Sequence, residues 1–254
     1  MNIIKSFCLA IKTYSKIPMV HIYPSKENLR WSLCFLPLIG AAIGGVLMAW
    51  FWVCLHLNIN NACFAAVAAA IPAVMTGGVH LKGFTKISYA MSQKGDKQKK
   101  LEMLSEQYVG SYGIISLILY YILYFGFLNE ITIYGEIGMI GLGFIMSRSV
   151  CAASMSIMRC AKNSGELYKV STAINRTATF IITTIMLLGC AFVMILLSAY
   201  IGAAVLAGLI ILFFGYKFIL CKKVGGITSD TCGWLIQTSE LITVMIIVII
   251  GRLV

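Results

Sequence analysis

A polar stretch between two strongly apolar segments decides how this chain is organised. It begins Thr76-Gly77-Gly78-Val79-His80-Leu81-Lys82-Gly83-Phe84, continues through Lys86 and Tyr89 to a lysine-rich patch, and ends at Gly110-Ser111-Tyr112-Gly113. In a chain that is 60% hydrophobic, no other stretch holds as much charge, glycine and histidine. Any chemistry that the protein performs is therefore expected here.

The rest of the chain has the composition of a membrane protein. Only 11% of the 254 residues are charged, and several apolar runs exceed the roughly 20 residues that a helix needs to cross a bilayer. We therefore predict an all-α, polytopic integral membrane protein in which residues 1–254 form one membrane-embedded domain, with the lipid bilayer as its surroundings. Nine cysteines without a Cys-x-x-Cys pair are interpreted as small hydrophobic residues.

About seven spans are predicted from the apolar runs, or six or eight if one segment is re-entrant. Their approximate bounds are 31–56, 61–79, 109–128, 137–160, 178–200, 202–220 and 234–254. The segment from Met1 to Pro18 alternates apolar residues with Lys5, Lys12 and Lys16, which predicts an amphipathic helix in the membrane interface. Because this segment lacks a small-residue cleavage site, a cleaved signal peptide is not expected.

The basic residues are distributed very unevenly over the predicted loops. Of the 20 lysines and arginines, only Arg148 and Arg252 lie outside the region before the first span and the loops near residues 82–107, 159–176 and 217–230. This asymmetry predicts a cell-membrane protein with its N-terminus and these loops in the cytoplasm. It also explains the net charge of +11 without nucleic acid as a partner.

Two stretches together resemble one known family. The first is Thr76–Phe84 with Lys100-Leu101-Glu102-Met103 and Val109-Gly110-Ser111-Tyr112-Gly113; the second is Val224-Gly225-Gly226-Ile227-Thr228-Ser229-Asp230-Thr231-Cys232-Gly233, with Glu240 after it. The segment Phe35-Leu36-Pro37-Leu38-Ile39-Gly40 also looks like the family's first spanning helix. In order and spacing, nearly the whole chain resembles the adenosylcobinamide-GDP ribazoletransferases, the integral membrane cobalamin synthases.

The resemblance implies a magnesium-dependent transfer reaction. A hydroxyl of α-ribazole, or of its 5′-phosphate, attacks the pyrophosphate of adenosylcobinamide-GDP; GMP leaves, and adenosylcobalamin or its 5′-phosphate is formed. Magnesium in such a site is held by a few carboxylates together with substrate phosphate oxygens. The resemblance also suggests other cobalamin-assembly enzymes as partners.

The first stretch departs from the family pattern. Where the family has a run of aspartates after the His-Leu pair, this chain has Lys82, Lys86 and Tyr89. These positions share one face of a helix, so that three acids there would form a cation site and two lysines form an anion site. Two hypotheses follow: the lysines bind the pyrophosphate directly, or catalysis has been lost and the chain binds corrinoid or nucleotide, or scaffolds the pathway.

The candidate residues fall into three groups. The predicted catalytic residues are His80, Asp230 and Glu240; the predicted phosphate-binding residues are Gly77, Gly78, Lys82, Lys86, Arg148, Gly225, Gly226 and Thr228; the predicted metal ligands are Glu106 and Asp230. Glu106 belongs to Ser105-Glu106-Gln107, which stands where the family has Lys-Asp-Ser.

The sequence gives specific reasons for several of these assignments. Asp230 follows a Gly-Gly turn whose backbone amides suit a phosphate, and it is also a candidate N-cap of the last helix. Acids inside a membrane span are expensive, so Glu240 is a functional candidate, with Arg148 as the natural partner for it or for a phosphate. A transporter is the remaining alternative, and the absence of a visible inverted repeat argues against it.

Overall fold

A computed structural model describes residues 3–20, 22–106 and 108–253. Met1, Asn2, His21, Gln107 and Val254 lie outside the described residues, and with them the start of the predicted interfacial helix, the last residue of the predicted final span and one position of the Ser-Glu-Gln triplet. The helices are α1 Ile3–Tyr14, α2 Lys26–Leu29, α3 Leu36–His56, α4 Asn61–Thr76, α5 Val79–Ser92, α6 Lys97–Ser105, α7 Ser111–Asn129, α8 Tyr134–Ile157, α9 Glu166–Ala173, α10 Arg176–Leu197, α11 Ala199–Gly215, α12 Cys221–Val224 and α13 Ser229–Gly251.

The fold is all-α, as predicted. A 3₁₀ turn at Ser32–Phe35 precedes α3, and a π-helical turn at Tyr216–Leu220 joins α11 to α12. In the described part of the chain there is no β-strand, and an isolated parallel bridge between Cys160 and Ile227 is the one β-type pairing. All nine cysteines are free.

Among the described residues, six helical segments are long and apolar enough to cross a membrane. They are 26–56, α7, α8, α10, 199–224 and α13. The helix pair α4 and α5 gives a seventh if it is counted as one span with a bend of 97°. The chain is therefore a multi-pass membrane protein, as the apolar runs predicted.

The second predicted span is wrong in shape. It was expected to run without a break over 61–79, but α4 ends at Thr76 and the chain turns sharply into α5. Gly77 and Gly78 make this turn with φ angles of 65° and 70°, a left-handed conformation that side-chain-bearing residues rarely adopt. The polar stretch that was expected to be a loop is consequently a pair of helices, α5 and α6.

Helix α8 lies at the centre of the bundle and packs against α3, α10 and α13. Glycines allow α3 to approach it closely, since a Cβ atom built on Gly44 would lie 2.9 Å from the Cα of Gly141. Helices α7, α10 and α11 lie outside and expose large apolar side chains such as Ile122, Leu196 and Ile211. These exposed apolar faces are suited to the lipid bilayer.

The basic segments meet at one end of the bundle, which we call the basic end. Helix α1 contacts α2, α2 contacts α9, α5 contacts α6, and α6 contacts α12. Arg252 lies elsewhere: its guanidinium donates to the carbonyl oxygen of Glu130 at 2.6 Å. The predicted grouping of the basic segments is thus visible in their contacts.

Candidate functional site

The two family-like stretches meet where α5 packs against α13. Gly83 and Gly233 form the contact: a Cβ atom on Gly83 would lie 2.7 Å from the backbone oxygen of Asp230, and one on Gly233 would lie 2.8 Å from that of His80. A side chain at either position would force the two backbones apart. This contact places the first stretch beside the beginning of α13.

The turn before α13 is fastened to the loop that follows α8. The backbone nitrogen of Ile227 donates to the oxygen of Arg159 at 2.9 Å, and the nitrogen of Ala161 donates to the oxygen of Ile227 at 2.9 Å. Gly226 lies so close that a Cβ atom there would be 2.6 Å from the Arg159 oxygen. Gly226 therefore allows the two backbones to approach closely. Gly225, which was predicted with Gly226 to bind phosphate, is exposed and caps the C-terminus of α12.

A small cavity opens at this junction, and we call it the motif cavity. Its volume is about 150 Å³. It is lined by Leu104, Cys160, Lys162, Ser164, Gly165, Glu166, Leu167, Tyr168, Ile227, Thr228, Ser229 and Asp230. The first backbone N–H groups of α13 lack partners within the helix, which makes this end of the helix suitable for an anion.

Thr228 caps α13. Its hydroxyl oxygen accepts a hydrogen bond from the backbone nitrogen of Thr231 at 3.1 Å, and the Thr231 hydroxyl oxygen accepts one from the backbone nitrogen of Thr228 at 2.8 Å. Asp230 is therefore not the N-cap that one interpretation of the sequence assigned. Its carboxylate is left available at the wall of the motif cavity.

The positive charges of three lysines act on Asp230. The Asp230 carboxylate interacts electrostatically with Lys86, Lys82 and Lys162. Lys82 and Lys162 are exposed, and Asp230 is half-buried. Because one negative charge faces three positive ones, this site favours an anionic ligand.

Lys86 has a different role from Lys82. It is 7% exposed, and its Nζ atom donates to the backbone oxygens of Leu104, at 2.8 Å, and Glu106. These oxygens lie at the C-terminal end of α6, where a cation is favourable. The prediction that Lys86 binds substrate phosphate is therefore replaced by a structural role, since its ammonium group is already bound.

Lys100 makes the reciprocal contact, which sequence reasoning missed. Its Nζ atom donates to the oxygens of Ala90, at 2.8 Å, and Gln93, at 3.0 Å, at the end of α5. Burial lowers the pKa of Lys100, and the positive charge of Lys223 lowers it further. In the α5–α6 hairpin, the backbone oxygens at the C-terminal end of each helix thus accept hydrogen bonds from a lysine of the other helix. The sequence showed Lys100 only as one member of a basic patch.

Arg148 and Glu240 form an ion pair inside the bundle. The Nη1 atom of Arg148 lies 2.7 Å from Oε1 of Glu240, and both side chains are 0% exposed. The expected pairing is confirmed, but neither side chain lines the motif cavity. The pair joins α8 to α13. The phosphate-binding role of Arg148 and the catalytic role of Glu240 stay predictions.

His80, Gly77 and Gly78 also lie away from the motif cavity. His80 is 6% exposed, and its imidazole interacts electrostatically with Arg148 in the interior. Gly77 and Gly78 form the turn between α4 and α5. Of the residues predicted from sequence, Asp230 and Thr228 line the motif cavity, and the charges of Lys86 and Lys82 act on Asp230.

The side chains at this site do not form a magnesium site by themselves. Glu106 is exposed at the end of α6. Within residues 3–20, 22–106 and 108–253, no group of three or more His, Cys, Asp or Glu side chains is placed to hold a metal ion. A hard cation needs several oxygen ligands, and the three lysines around Asp230 oppose it.

Comparison with known proteins gives a consistent result. The family model described as cobalamin-5-phosphate synthase matches residues 6–248. An adenosylcobinamide-GDP ribazoletransferase of Lachnoclostridium phytofermentans is 28% identical over 249 residues, covering 98% of this chain and 95% of the relative. A protein of the same name from Clostridium botulinum strain Alaska E43 is 26% identical, and the match covers 95% of this chain and 96% of the relative. Another from Fusobacterium nucleatum is also 26% identical, and the match covers 97% of this chain and 98% of the relative.

No solved structure matches the chain. The family match covers α5 and most of α13, the two helices that carry the family-like stretches and pack against each other. This chain belongs to the cobalamin-5-phosphate synthase family.

Proposed function

We propose that this protein joins adenosylcobinamide-GDP to α-ribazole, or to its 5′-phosphate, and releases GMP at the motif cavity. The observation that carries the proposal is the contact of Gly83 with Asp230, which brings the two family-like stretches together. The names of the related enzymes support the same reaction.

The substrate pyrophosphate would bind between Lys82, Lys162 and the N-terminus of α13. The positive charges of Lys82 and Lys162 act near Asp230. An anionic group there would be stabilised by these charges and by the dipole of α13. At about 150 Å³, the motif cavity is smaller than pockets that enclose a whole ligand of drug size, about 300–1,000 Å³. It therefore fits the pyrophosphate, with the corrinoid and the nucleoside outside it.

Transfer at this site needs no covalent intermediate with the protein. The ribazole hydroxyl oxygen bonds to the phosphorus that carries the cobinamide. The bond from that phosphorus to the bridging oxygen breaks, and GMP leaves with the bridging oxygen and the electron pair. The hydroxyl proton passes to the Asp230 carboxylate. Lys82 and Lys162 stabilise the charge that develops on the phosphate oxygens, which is the main requirement of phosphoryl transfer.

A second candidate function is binding without transfer. It is favoured by the loss of acids at positions 82, 86 and 89 and by the donor set around Asp230, which is poor for magnesium. In this case the motif cavity would hold the pyrophosphate of a nucleotide-bearing corrinoid and no product would form.

Purified protein in liposomes distinguishes the two functions. It is incubated with adenosylcobinamide-GDP and α-ribazole, with and without magnesium, and GMP and the corrinoid product are measured by mass spectrometry. Product formation that is lost in Asp230→Asn supports the transferase. Saturable corrinoid binding without GMP release overturns the transferase and supports the binding protein.

The proposal places the basic end in the cytoplasm of the producing cell, where these substrates are dissolved. Positive residues favour the cytoplasmic side of a membrane. In a variant without native cysteines, a cysteine at position 97 should react with an impermeant reagent only from the cytoplasm, and one at position 130 only from outside. The opposite pattern would contradict this orientation.

A further inference from the structure

A second cavity lies outside the motif cavity, between the α5–α6 hairpin and the junction of α11 with α12. Its volume is about 720 Å³, and we call it the lysine cavity. Five of its lining residues are lysines, Lys94, Lys97, Lys100, Lys222 and Lys223, and a single one, Asp96, is an acid. Neither the family resemblance nor the proposed reaction gives this cavity a role.

Apart from Lys100, whose ammonium group is bound at the end of α5, the lysines of this cavity have no ion-pair partner among the described residues. Asp96 is occupied at the start of α6, where its carboxylate accepts a hydrogen bond from the backbone nitrogen of Lys99 at 3.0 Å. The salt bridges found among the described residues join Arg148 to Glu240 and Arg252 to Glu130, and neither involves a lysine of this cavity. Burial is the larger cause of the lowered pKa of Lys100, and the positive charge of Lys223 is the second. The cavity therefore favours a ligand that brings negative charge.

One wall of the lysine cavity is apolar and faces outward. Phe218 and Ile219 line it and are 57% and 61% exposed. Both belong to the π-helical turn Tyr216–Leu220 at the end of a membrane-spanning segment. A soluble inorganic anion would gain nothing from contact with this apolar wall, whereas a ligand with an apolar part would bury it there.

The apolar wall continues into a cleft on the lipid-facing side. The ring of Phe218 stacks on that of Phe214, with centroids 5.9 Å apart and an interplanar angle of 2°. Phe214 in turn lines a cleft of about 320 Å³ between α8, α10 and α11, whose lining is almost wholly apolar. The stacked pair thus forms a wall common to a cationic cavity and an apolar cleft.

We propose that the lysine cavity binds the phosphate headgroup of an anionic phospholipid, with an acyl chain lying along Phe214 and Phe218 towards the apolar cleft. Basic pockets at the ends of membrane helices are suited to such headgroups. The lipid would bridge the α5–α6 hairpin and α12, two elements that flank the candidate site. This inference does not depend on transferase activity.

The test uses the full chain, purified in a neutral detergent and stripped of lipid. Phosphatidylglycerol and phosphatidylcholine are titrated separately, and bound lipid is counted by native mass spectrometry. We expect selective binding of phosphatidylglycerol. Lys222→Gln with Lys223→Gln should weaken it about 30-fold, since each lysine near a lipid headgroup contributes on the order of 1 kcal/mol.

The matched control is Lys26→Gln with Lys169→Gln. These two lysines are exposed on α2 and α9, which contact each other at the same basic end but do not line the lysine cavity. The control removes the same charge and should retain the affinity for phosphatidylglycerol. An equal loss in both variants would overturn the proposal, because it would show general attraction to a basic surface.

Two further arms separate a lipid from a soluble anion. Phe218→Ser should weaken phosphatidylglycerol binding and leave competition by inorganic phosphate unchanged. Inorganic phosphate or GDP that binds tightly at the lysine cavity, with no preference for the lipid, would overturn the proposal. If the Lys222 and Lys223 variant is not monodisperse, Lys94→Gln with Lys97→Gln removes two charges from the opposite wall and is judged by the same outcomes.

Discussion

The two helices that meet at the candidate site each carry a buried charge, and the two charges are satisfied in different ways. Glu240 on α13 lies in the middle of the bundle and is paired with Arg148 at 2.7 Å. Lys86 on α5 lies at the basic end and is bound by two backbone oxygens at the end of α6. A charge deep in the bundle needs an opposite charge, whereas one near a helix C-terminus is stabilised by the carbonyl groups and the dipole of that helix.

The difference also separates Lys86 from Lys82. Both stand where the family resemblance led us to expect acids, and they are one helical turn apart. The end of α6 covers only Lys86, so Lys82 remains exposed beside Asp230. Of the two lysines, one is therefore buried and bound by backbone oxygens, and the other is exposed.

The largest expected effect comes from breaking the central ion pair. Arg148→Met leaves the Glu240 carboxylate unpaired in the interior and should destabilise the protein by about 3–5 kcal/mol. The double variant Arg148→Met with Glu240→Leu should recover most of this loss, since no charge is then stranded. Thermal unfolding in detergent provides the measurement, and a single variant as stable as the unaltered protein would contradict the ion pair's role.

The comparison of the two lysines is tested by removing each ammonium group. Lys86→Met should lower the free energy of unfolding by about 1.5–3 kcal/mol, the range for a hydrogen bond to a charged group. Lys82→Met, the matched control on the same helix, should change it by less than about 0.5 kcal/mol. Equal effects measured by denaturant unfolding would show that the end of α6 does not distinguish the two positions.

The contact between the two helices is tested at Gly83. Gly83→Ala places a methyl group against the backbone of Asp230 and should destabilise the protein by about 1–3 kcal/mol through overpacking. Gly189→Ala on α10 is the control, because a Cβ atom there meets nothing within 4 Å. It should be neutral or slightly stabilising, because alanine favours helix more than glycine does. If both variants melt at the same temperature, the close approach of α5 and α13 is wrong.

The smallest expected effect concerns ligand binding by Lys82. Lys82→Gln should weaken binding of a GDP-bearing corrinoid about fivefold, as expected for the loss of one exposed charge worth roughly 1 kcal/mol. The binding should also weaken as salt rises. Lys26→Gln removes a charge from α2 and serves as control. Binding that is indifferent to salt and to both substitutions would exclude an anion site around Asp230.

Much of the fold was determined by the sequence alone. Whether a run of about 20 apolar residues prefers the bilayer is a local property, so the predicted spans 137–160 and 202–220 correspond to α8 and to α11 with its π-helical turn. The pairing of Arg148 with Glu240 was also predictable, because two opposite charges in apolar segments are each expensive alone. The catalytic and phosphate-binding roles assigned to these two residues stay predictions, since the sequence does not show whether the pair faces a ligand.

Only the tertiary structure decided which residues reach the site. The helical spacing of Lys82 and Lys86 predicts a shared face, but which of them is covered depends on where α6 returns against α5. Likewise, Gly77 and Gly78 turn the chain through 97°, and this bend lets Gly83 meet Asp230 from the far end of the sequence. Periodicity along one helix describes that helix, whereas a binding site is made where helices distant in sequence pack together, and their contact surfaces are determined by the whole bundle.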